Sequence, residues 1–309
     1  INFLQLLYNL FKMSLKFFTL ANGNKIPAIS IIGTVTQWYN ASKDPTINEA
    51  LVSQLKHALS IPGIVHIDAA ENYSRYPELA KALKESNKPR DQIWITDKYS
   101  KFAETPIEHL NSSLKAIGVD YVDLYLIHDP FYENKKYDIV QAWRYAEQLY
   151  KEGKAKNIGV SNFAVEDLKK ILEVAEIKPQ VNQIEYNAFL QNQTPGIYQF
   201  AKENNILLEA YAPLGPLSER KGETGEFYDF LDELTKKYGK DQGQVLLRWV
   251  YQTGVLPVTT SSKPERITGS SQIWDFELTD DEVSKISKLG AQHKPLRQYW
   301  VPQYEKYDK

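Results

Sequence analysis

Short apolar segments alternate with longer amphipathic segments along most of the chain. Runs of four to seven mainly apolar residues have the length of buried strands and lie at 26–32, 64–68, 93–96, 121–127, 155–160, 180–185, 206–210 and 254–258. The segments between them space their apolar residues as helices do, and they predict helices at 47–59, 77–86, 106–117, 138–153, 165–175, 194–204 and 243–252.

This alternation predicts a parallel sheet built from βαβ units. Eight units in about 250 residues are typical of a (β/α)8 barrel. A doubly wound sheet is the alternative, but it needs a G-x-G-x-x-G turn after the first strand, and the segment from Gly33 to Thr36 lacks one. We therefore expect an α/β fold: a (β/α)8 TIM barrel with an N-terminal β-hairpin and a C-terminal aromatic tail.

The first twelve residues, INFLQLLYNLFK, precede the only methionine, Met13. They lack the basic leader and small-residue cleavage site of a secretory signal. We expect residues 1–12 to be a non-native or flexible extension, with a native amphipathic arm as the alternative. Residues 13–309 are then expected to form a single barrel domain.

Composition narrows the possible partners. The chain has 37 basic and 39 acidic residues and a net charge of −2, which argues against wholesale binding to nucleic acid or an anionic membrane. The absence of cysteine excludes disulfides, thiolate catalysis and thiolate metal sites. The five histidines show no metal-ligand spacing. We expect a cytoplasmic enzyme that acts on a small molecule without a metal.

Polar residues cluster where the apolar strands end. They are Asp68, Lys98, His128, Ser161 with Asn162, Gln183, Tyr211, and the run from Thr259 to Lys263. In a barrel these strand ends form one rim, and barrel active sites are built on that rim. Ionisable groups at the ends of apolar strands are costly unless they are paired or functional. One such group has an even chance of being structural, whereas a succession of them indicates an active site.

Three of these residues, Asp68, Lys98 and His128, suit carbonyl reduction together with the nearby Tyr73. A tyrosine hydroxyl is a weak acid with a pKa near 10, and a nearby ammonium lowers that pKa. Lys98 can act on Tyr73 in this way if Asp68 holds the ammonium, and His128 can orient a substrate carbonyl. The set contains no nucleophile with an adjacent base. The chemistry that it favours is proton delivery to a carbonyl oxygen, with hydride supplied by a cofactor.

Several segments resemble the aldo-keto reductase family, in order, from about residue 15 to residue 300. They are HIDAAENY (66–73), ITDKY (95–99), DLYLIH (123–128), GVSNF (159–163), QVNQIEYN (180–187) and YAPLGPL (211–217). TTSSKPER (259–266) and FLQNQTPGIY (189–198) are similar to the fungal branch that reduces α-keto amides, conjugated polyketones and ketopantoyl lactone. The resemblance implies an NADPH-dependent reductase of activated carbonyls (α-keto amides, α-keto esters, α-keto lactones and other dicarbonyls). It also implies that the barrel is a monomer.

The resemblance also implies residue roles. Tyr73 would donate the proton, with Asp68, Lys98 and His128 completing the catalytic set. NADPH would be held by Thr36, Ser161, Asn162, Gln183, Tyr211, Pro213, Leu214, Thr260, Ser261, Ser262, Lys263 and Arg266. Within this set, Ser161, Asn162 and Gln183 would bind the carboxamide, and Tyr211 would stack on the nicotinamide. Many relatives have Lys in place of Thr260, so the 2′-phosphate would depend on Lys263 and Arg266.

Aromatic residues on rim loops and the tail are candidates for the substrate pocket. The expected substrate-binding residues are Trp38, Asp129, Phe131, Tyr299 and Trp300, with Tyr132 beside them. The alternative is that the tail aromatics only cap the barrel. Asp129 follows His128 directly, so an ionised carboxylate there would repel anionic substrates. Alternatively, Asp129 pairs with Lys135 or Lys136 and does not meet the substrate.

Three other functions remain open at this stage. The chain could be a non-catalytic nucleotide-binding barrel that serves as a sensor subunit, which the complete catalytic set argues against. It could be a pentose or aldose dehydrogenase or reductase of the same family. A phosphosugar isomerase or lyase is disfavoured because no Gly-rich phosphate loop follows strands 7 and 8.

Overall fold

The computed structural model describes residues 15–31, 46–132 and 135–308. In these residues the strands, in chain order, are β1 Phe17–Thr19, β2 Lys25–Pro27, β3 Ser30–Ile31, β4 His66–Asp68, β5 Trp94–Tyr99, β6 Leu124–Ile127, β7 Ile158–Ser161, β8 Val181–Glu185, β9 Leu207–Tyr211 and β10 Leu256–Thr259. The α-helices are α1 Glu49–Ser60, α2 Tyr76–Ser86, α3 Pro106–Ile117, α4 Ile139–Lys151, α5 Val165–Leu172, α6 Ile197–Glu203, α7 Gly215–Ser218, α8 Glu226–Tyr238, α9 Gln242–Gln252, α10 Pro264–Ser271, α11 Asp280–Ala291 and α12 Val301–Tyr304.

Strands β3 to β10 form one parallel sheet in the order β3-β10-β9-β8-β7-β6-β5-β4. The two end strands meet, because the hydroxyl of Ser30 in β3 donates to the carbonyl of His66 in β4 at 3.3 Å. The sheet thus curls into a barrel with the helices outside it. The predicted barrel class is confirmed.

An antiparallel hairpin of β1 and β2 covers one end of this barrel. Its residues Leu20 and Ile26 join the apolar cluster inside the barrel. The side-chain amides of Asn22 and Asn24 both donate to Asn157, at 2.8 and 2.9 Å. Because Asn157 directly precedes β7, the hairpin lies at the amino-terminal end of the strands, opposite the predicted site.

The predicted strand at 26–32 is divided in the structure. Pro27 ends β2, and Ser30 begins β3. Proline has no amide hydrogen and cannot continue a ladder on both sides, so one apolar run serves two sheets. The helices Glu226–Tyr238 and Asp280–Ala291 were absent from the predicted set, and both present buried apolar residues to the outer core.

Strong local sequence signals fix the ends of some helices. In Pro106–Ile117, Thr105 and Glu108 form a reciprocal capping box, and Pro106 occupies the first turn. Gly118 ends the helix with φ 79°, a left-handed conformation that glycine adopts without strain. The predicted range 106–117 therefore matches the structure. Among the described residues, no helix is both long and apolar enough to cross a membrane.

Candidate active site

The four predicted catalytic residues converge at the carboxyl-terminal end of the barrel. Asp68 ends β4, Lys98 lies in β5, and His128 directly follows β6. Tyr73 ends the 3₁₀ turn Glu71–Tyr73, which follows β4. All four side chains are buried, with exposed fractions between 0% and 9%. The rim of the barrel thus brings together groups that lie far apart in sequence.

The ammonium of Lys98 is the hub of this cluster. It donates to the carboxylate of Asp68, to the carbonyl of Ala69 at 2.9 Å, and to the hydroxyl of Tyr73 at 3.2 Å. Burial lowers the pKa of Lys98, but the charge of Asp68 and the contact with Tyr73 outweigh burial, so the net pKa is raised. Lys98 therefore stays charged at neutral pH, with its three donors used.

Tyr73 keeps its proton in this environment. Burial raises the pKa of Tyr73 to about 12, although the charge of Lys98 acts to lower it. Lys98 thus lowers the pKa of Tyr73 as expected, but burial has the larger and opposite effect, so the net pKa lies above its ordinary value. The physical reason is that loss of hydration penalises a buried phenolate more than one ammonium, itself shared with Asp68, can offset. Tyr73 is thus a neutral hydroxyl, which is the form that a proton donor needs.

His128 is held as a neutral imidazole. Burial lowers the pKa of His128 well below its ordinary value, and the charges of Lys98 and Lys101 act in the same direction. Its Nδ1 lies 2.7 Å from the hydroxyl of Ser100, and its ring meets that of Tyr73 edge-on with centroids 5.9 Å apart. Among the described residues, Nδ1 is the ring nitrogen that a protein group engages, which leaves Nε2 for a ligand.

Ser100 is itself positioned by a residue that sequence reasoning missed. The carboxylate of Glu71 accepts the backbone N–H groups of Ser100, at 2.7 Å, and of Ala103, at 2.6 Å. Glu71 thereby fixes the loop after β5 that supports His128. The available signal was the position of Glu71 inside the segment HIDAAENY, between Asp68 and Tyr73.

Asn162 lies at the centre of the predicted amide cluster. Its backbone is left-handed, with φ 63°, which asparagine tolerates better than most residues. Its Nδ2 donates to the His128 carbonyl at 2.9 Å and to the Ser161 hydroxyl at 3.1 Å. Its Oδ1 accepts from Gln193 at 3.0 Å and from Tyr211 at 2.7 Å. The side-chain amide of Asn162 is therefore fully hydrogen-bonded within the protein.

Gln183 joins this cluster to the catalytic pair. Its Nε2 donates to Asp68 Oδ2 at 2.8 Å and to Glu209 Oε2 at 2.7 Å, while its backbone carbonyl accepts from Ser161 at 2.8 Å. Burial raises the pKa of Glu209 to about 8, against the opposing effect of the Gln183 hydrogen bond. Sequence reasoning missed Glu209, although a carboxylate inside the apolar run ILLEA was a visible signal.

The C-terminal tail lies across the mouth of the barrel. Tyr299 packs edge-on against Tyr211, with ring centroids 5.5 Å apart. Trp300 and Tyr304 both contact the ring of Phe131, with centroids at 5.3 and 5.8 Å. Tyr299 remains 39% exposed. The predicted aromatic tail is thus present, and it brings three of the predicted substrate-binding residues to this rim.

A buried carboxylate anchors that tail. Glu185, the last residue of β8, accepts the backbone N–H groups of Gln298 at 2.8 Å and Tyr299 at 3.1 Å. Burial raises the pKa of Glu185 to about 7, although these two hydrogen bonds lower it. Further along, Arg297 binds both carboxylate oxygens of Asp308, at 2.8 and 2.6 Å. Sequence reasoning assigned neither contact.

Asp129 is paired, and its partner differs from those considered. Its Oδ1 lies 2.6 Å from the ammonium of Lys101 and accepts the N–H of Phe131 at 2.9 Å. The same ammonium also donates to the carbonyl of Phe131. Asp129 is 5% exposed, and Lys101, on the loop after β5, balances its charge. The pairing with a loop lysine follows the alternative given above, with Lys101 in place of Lys135 or Lys136, and the role of Asp129 towards the substrate stays a prediction. Tyr132 packs on Tyr137, with centroids 5.5 Å apart.

The predicted phosphate-binding segment follows β10. Thr260 accepts from Gln54 at 3.4 Å, and the backbone N–H of Lys263 donates to the hydroxyl of Ser261 at 3.1 Å. The side chains of Lys263 and Arg266 are exposed at the start of helix Pro264–Ser271. Ser262 is also exposed. This segment therefore presents two cations and nearby hydroxyls to solvent.

Comparison with known proteins decides the family. The profile of the aldo/keto reductase family matches residues 31–291. A protein of Saccharomyces cerevisiae named NADPH-dependent alpha-keto amide reductase is 56% identical over 301 residues, covering 95% of this chain and 96% of that protein. The chain belongs to the aldo/keto reductase family. The resemblance seen in the sequence is thereby confirmed, and the chain is an oxidoreductase.

Two further relatives support the assignment. The Schizosaccharomyces pombe protein named NAD/NADP-dependent indole-3-acetaldehyde reductase is 38% identical over 275 residues, which cover 88% of this chain and 95% of that protein. The crystal structure of a Bombyx mori aldo-keto reductase in complex with NADP superposes with a TM-score of 0.80 at 28% identity, over 96% of this chain and 99% of the other.

The donors of this aldo-keto reductase fit a phosphorylated dinucleotide. Exposed Lys263 and Arg266 offer charge-assisted hydrogen bonds to a phosphate, and the start of a helix favours negative charge. At the other end of the candidate site, Tyr211 presents a half-buried ring beside Asn162. Pro213 and Leu214 lead from β9 into the short helix Gly215–Ser218.

Two predicted positions cannot be compared with the structure. Thr36 and Trp38 lie outside the described residues, so their assignments to cofactor and substrate stay predictions. In the part of the chain that the structure describes, no group of three or more His, Asp or Glu side chains is arranged to hold a metal ion.

Proposed function

We propose that this aldo-keto reductase uses NADPH to reduce activated carbonyls: α-keto amides, α-keto esters, α-keto lactones and other dicarbonyls. The observation that carries the proposal is the buried contact of the Tyr73 hydroxyl with the ammonium of Lys98, at 3.2 Å, next to His128. The high identity to the S. cerevisiae alpha-keto amide reductase supports this substrate class.

In this proposal Tyr73 protonates the carbonyl oxygen. The proton leaves a neutral phenol, and the fixed charge of Lys98 stabilises the phenolate that forms. Asp68 keeps Lys98 charged and in place through their buried ion pair. His128, neutral and oriented by Ser100, is the group that directs the carbonyl towards Tyr73. The transferred hydride is the chemistry that NADPH supplies when it is bound.

We assign the remaining predicted residues to the cofactor as follows. Gln183, Ser161 and Asn162 form the carboxamide end, and Tyr211 provides the stacking ring. Thr36, Pro213 and Leu214 line the path of the dinucleotide. At the far end are Thr260, Ser261, Ser262, Lys263 and Arg266. Since Asn162 is saturated by protein contacts, Gln183 is the main contact of the carboxamide.

The double substitution Lys263→Ala, Arg266→Ala tests the 2′-phosphate assignment. We expect it to weaken NADPH binding by at least about tenfold, because a hydrogen bond to a charged group contributes about 1.5–3 kcal/mol. The dissociation constant of NADH, which lacks this phosphate, should change by less than about twofold on the same reasoning. Fluorescence titration with both cofactors measures the two constants. Equal losses for NADPH and NADH would refute the assignment.

We further propose that Phe131, Tyr299, Trp300 and Trp38 line the substrate pocket. Asp129 contributes to this pocket indirectly: its carboxylate is bound by Lys101 and by the backbone N–H of Phe131, and it thereby holds Phe131 in place. The pair as a whole is neutral, so we do not expect Asp129 by itself to reject anionic substrates.

The charge pair makes a prediction about substrate selectivity. Lys101→Met removes the ammonium that balances the charge of Asp129 near the mouth, and we expect kcat/KM for an α-keto acid to fall relative to that for its ethyl ester. A change of about tenfold is reasonable, since two charges about 4 Å apart interact by about 1 kcal/mol in water and about 4 kcal/mol at a lower dielectric. Asp129→Asn should shift the ratio the opposite way. If neither substitution changes the acid-to-ester ratio of kcat/KM, the Lys101–Asp129 pair is too far from the substrate to influence its binding.

The substrate class is tested by comparing kcat/KM for an α-keto amide, an α-keto lactone and an aldopentose. Activated carbonyls should be preferred by a wide margin. A preference for the pentose would favour the alternative of an aldose reductase or dehydrogenase. NADPH binding with no turnover of any carbonyl would favour the sensor-subunit alternative, against which the complete Asp68, Tyr73, Lys98 and His128 set argues.

The family resemblance also supports a proposal about the oligomeric state and the location of the enzyme. We propose that it acts as a monomer in the cytoplasm, on small-molecule carbonyls and without a nucleic-acid or membrane partner. Sedimentation of the full chain tests the monomer proposal directly, since a dimer would have twice the mass.

A further inference from the structure

Two carboxyl groups meet the same nitrogen inside the barrel. Gln183 Nε2 lies 2.8 Å from Asp68 Oδ2 and 2.7 Å from Glu209 Oε2. All three side chains are almost fully buried. An amide nitrogen has two N–H donors, and a carboxylate oxygen only accepts. If the amide were turned over, its carbonyl oxygen would face Asp68 in place of a donor, so the contacts themselves fix its orientation.

This arrangement leaves the Gln183 side chain one atom that can bind a ligand. Both of its N–H groups are used by Asp68 and Glu209, so only the carbonyl oxygen Oε1 remains for a ligand. A ligand group at Gln183 must therefore be a hydrogen-bond donor. The amide of neighbouring Asn162, at the same end of the site, is already saturated by protein contacts, so Gln183 Oε1 is the main acceptor there.

We propose that Glu209 is a positioning residue for the cofactor: by accepting one N–H of Gln183 while Asp68 accepts the other, it fixes the Gln183 amide so that Oε1 receives the NH₂ group of the nicotinamide carboxamide. This inference rests on the proposed binding of NADPH at Gln183. Glu209 acts through Gln183 and needs no contact with the cofactor.

The electrostatics of the cluster agree with this role. Burial raises the pKa of Glu209 to about 8, the charge of Asp68 raises it further, and the charge of Lys98 lowers it. Glu209 is therefore mostly protonated at neutral pH, and the Asp68–Lys98 pair keeps its balanced charge. A neutral carboxyl still accepts a hydrogen bond on the oxygen that faces Gln183. Its other oxygen, Oε1, is buried without a hydrogen-bond partner among the described residues.

The test compares NADP⁺ with its 3-acetylpyridine analogue, in which a methyl group replaces the carboxamide NH₂. The wild-type protein should bind the analogue about tenfold more weakly, since the analogue cannot donate to Gln183 Oε1. Glu209→Leu removes the acceptor and frees one N–H of Gln183. The two cofactors should then bind within about twofold of each other. Glu209→Gln retains an acceptor oxygen and should rescue most of the discrimination.

Adenosine 2′,5′-bisphosphate, which has no nicotinamide, is the control ligand. Its dissociation constant should be the same in all three proteins if Glu209→Leu is folded and acts only at the nicotinamide end. If Glu209→Leu keeps the full wild-type discrimination, the positioning role is refuted. If the wild-type protein binds NADP⁺ no better than the bisphosphate, the proposed cofactor site itself is wrong. Loss of bisphosphate binding in both variants would mean that Glu209 is structural, which also overturns the inference.

Discussion

Replacing Tyr73 with phenylalanine should lower kcat for an α-keto amide by about 10²–10⁴-fold, the usual contribution of a general acid. The substitution removes one hydroxyl, whose partner in the structure is the ammonium of Lys98 at 3.2 Å. The ring and its edge-on contact with His128 are retained. NADPH affinity should therefore stay within about threefold of wild type, since less than one neutral hydrogen bond is at stake.

A second buried tyrosine provides a matched control. The hydroxyl of Tyr76 donates to the carboxylate of Asp97 at 2.9 Å, outside the candidate site. Tyr76→Phe should lower the melting temperature as much as Tyr73→Phe or more, and kcat should be nearly unchanged. If Tyr73→Phe reduces the keto amide at close to the wild-type rate, Tyr73 is not the proton donor. If both substitutions lower kcat equally, the loss reflects the fold.

Lys98→Met should affect both stability and catalysis. It leaves the carboxylate of Asp68 buried, 2% exposed, and among the described residues only the Gln183 amide then still donates to it. Removing one member of a buried ion pair typically costs about 3–5 kcal/mol. Denaturant unfolding should show a loss of this size, and carbonyl reduction should fall at least as far as in Tyr73→Phe.

The double variant Asp68→Asn, Lys98→Met separates the two effects. Removing both charges abolishes the unpaired carboxylate, so the free energy of unfolding should recover most of what the single variant loses. Activity should not recover, because no cation is left to stabilise the phenolate of Tyr73. A double variant that regained activity would show that Lys98 serves only to neutralise Asp68.

The sequence predicted the parts of the fold that depend on local signals. The helix at 106–117 has its capping box, its first-turn proline and its terminal glycine all between Thr105 and Gly118. The split at Pro27 was missed because the pattern of apolar residues continues through it. A proline interrupts the hydrogen bonds of a strand only on the side where a neighbouring strand lies. The spacing of apolar residues does not show which strands are neighbours.

Three of the candidate catalytic residues, Asp68, Lys98 and His128, could be located because each lies at or near the end of an apolar strand, and Tyr73 lies shortly after the first of these strands. Their supporting contacts could not. Gln183 and Asp68 are 115 positions apart, and only the register of the closed barrel brings them together. Lys101 was passed over for Lys135 and Lys136, which are closer to Asp129 in sequence. The loop after β5 runs beside the loop after β6, and Lys101 adopts a left-handed backbone there, with φ 71°.

The direction in which the pKa of Tyr73 shifts could not be predicted from the sequence either. The types of its neighbours indicated that Lys98 would lower it. The structure adds that the hydroxyl is buried, and burial outweighs the ammonium and raises the pKa to about 12. The sign of the shift therefore depends on the depth of the site, which is a property of the assembled rim.

The central claim is that this chain transfers hydride from NADPH to an activated carbonyl. The most direct measurement mixes the purified protein with NADPH and an α-keto amide, follows the loss of NADPH absorbance, and quantifies the hydroxy amide formed. We expect one hydroxy amide for each NADPH consumed, and no NADPH loss when the carbonyl is omitted. Binding of NADPH without its consumption, across α-keto amides, esters and lactones, would contradict it.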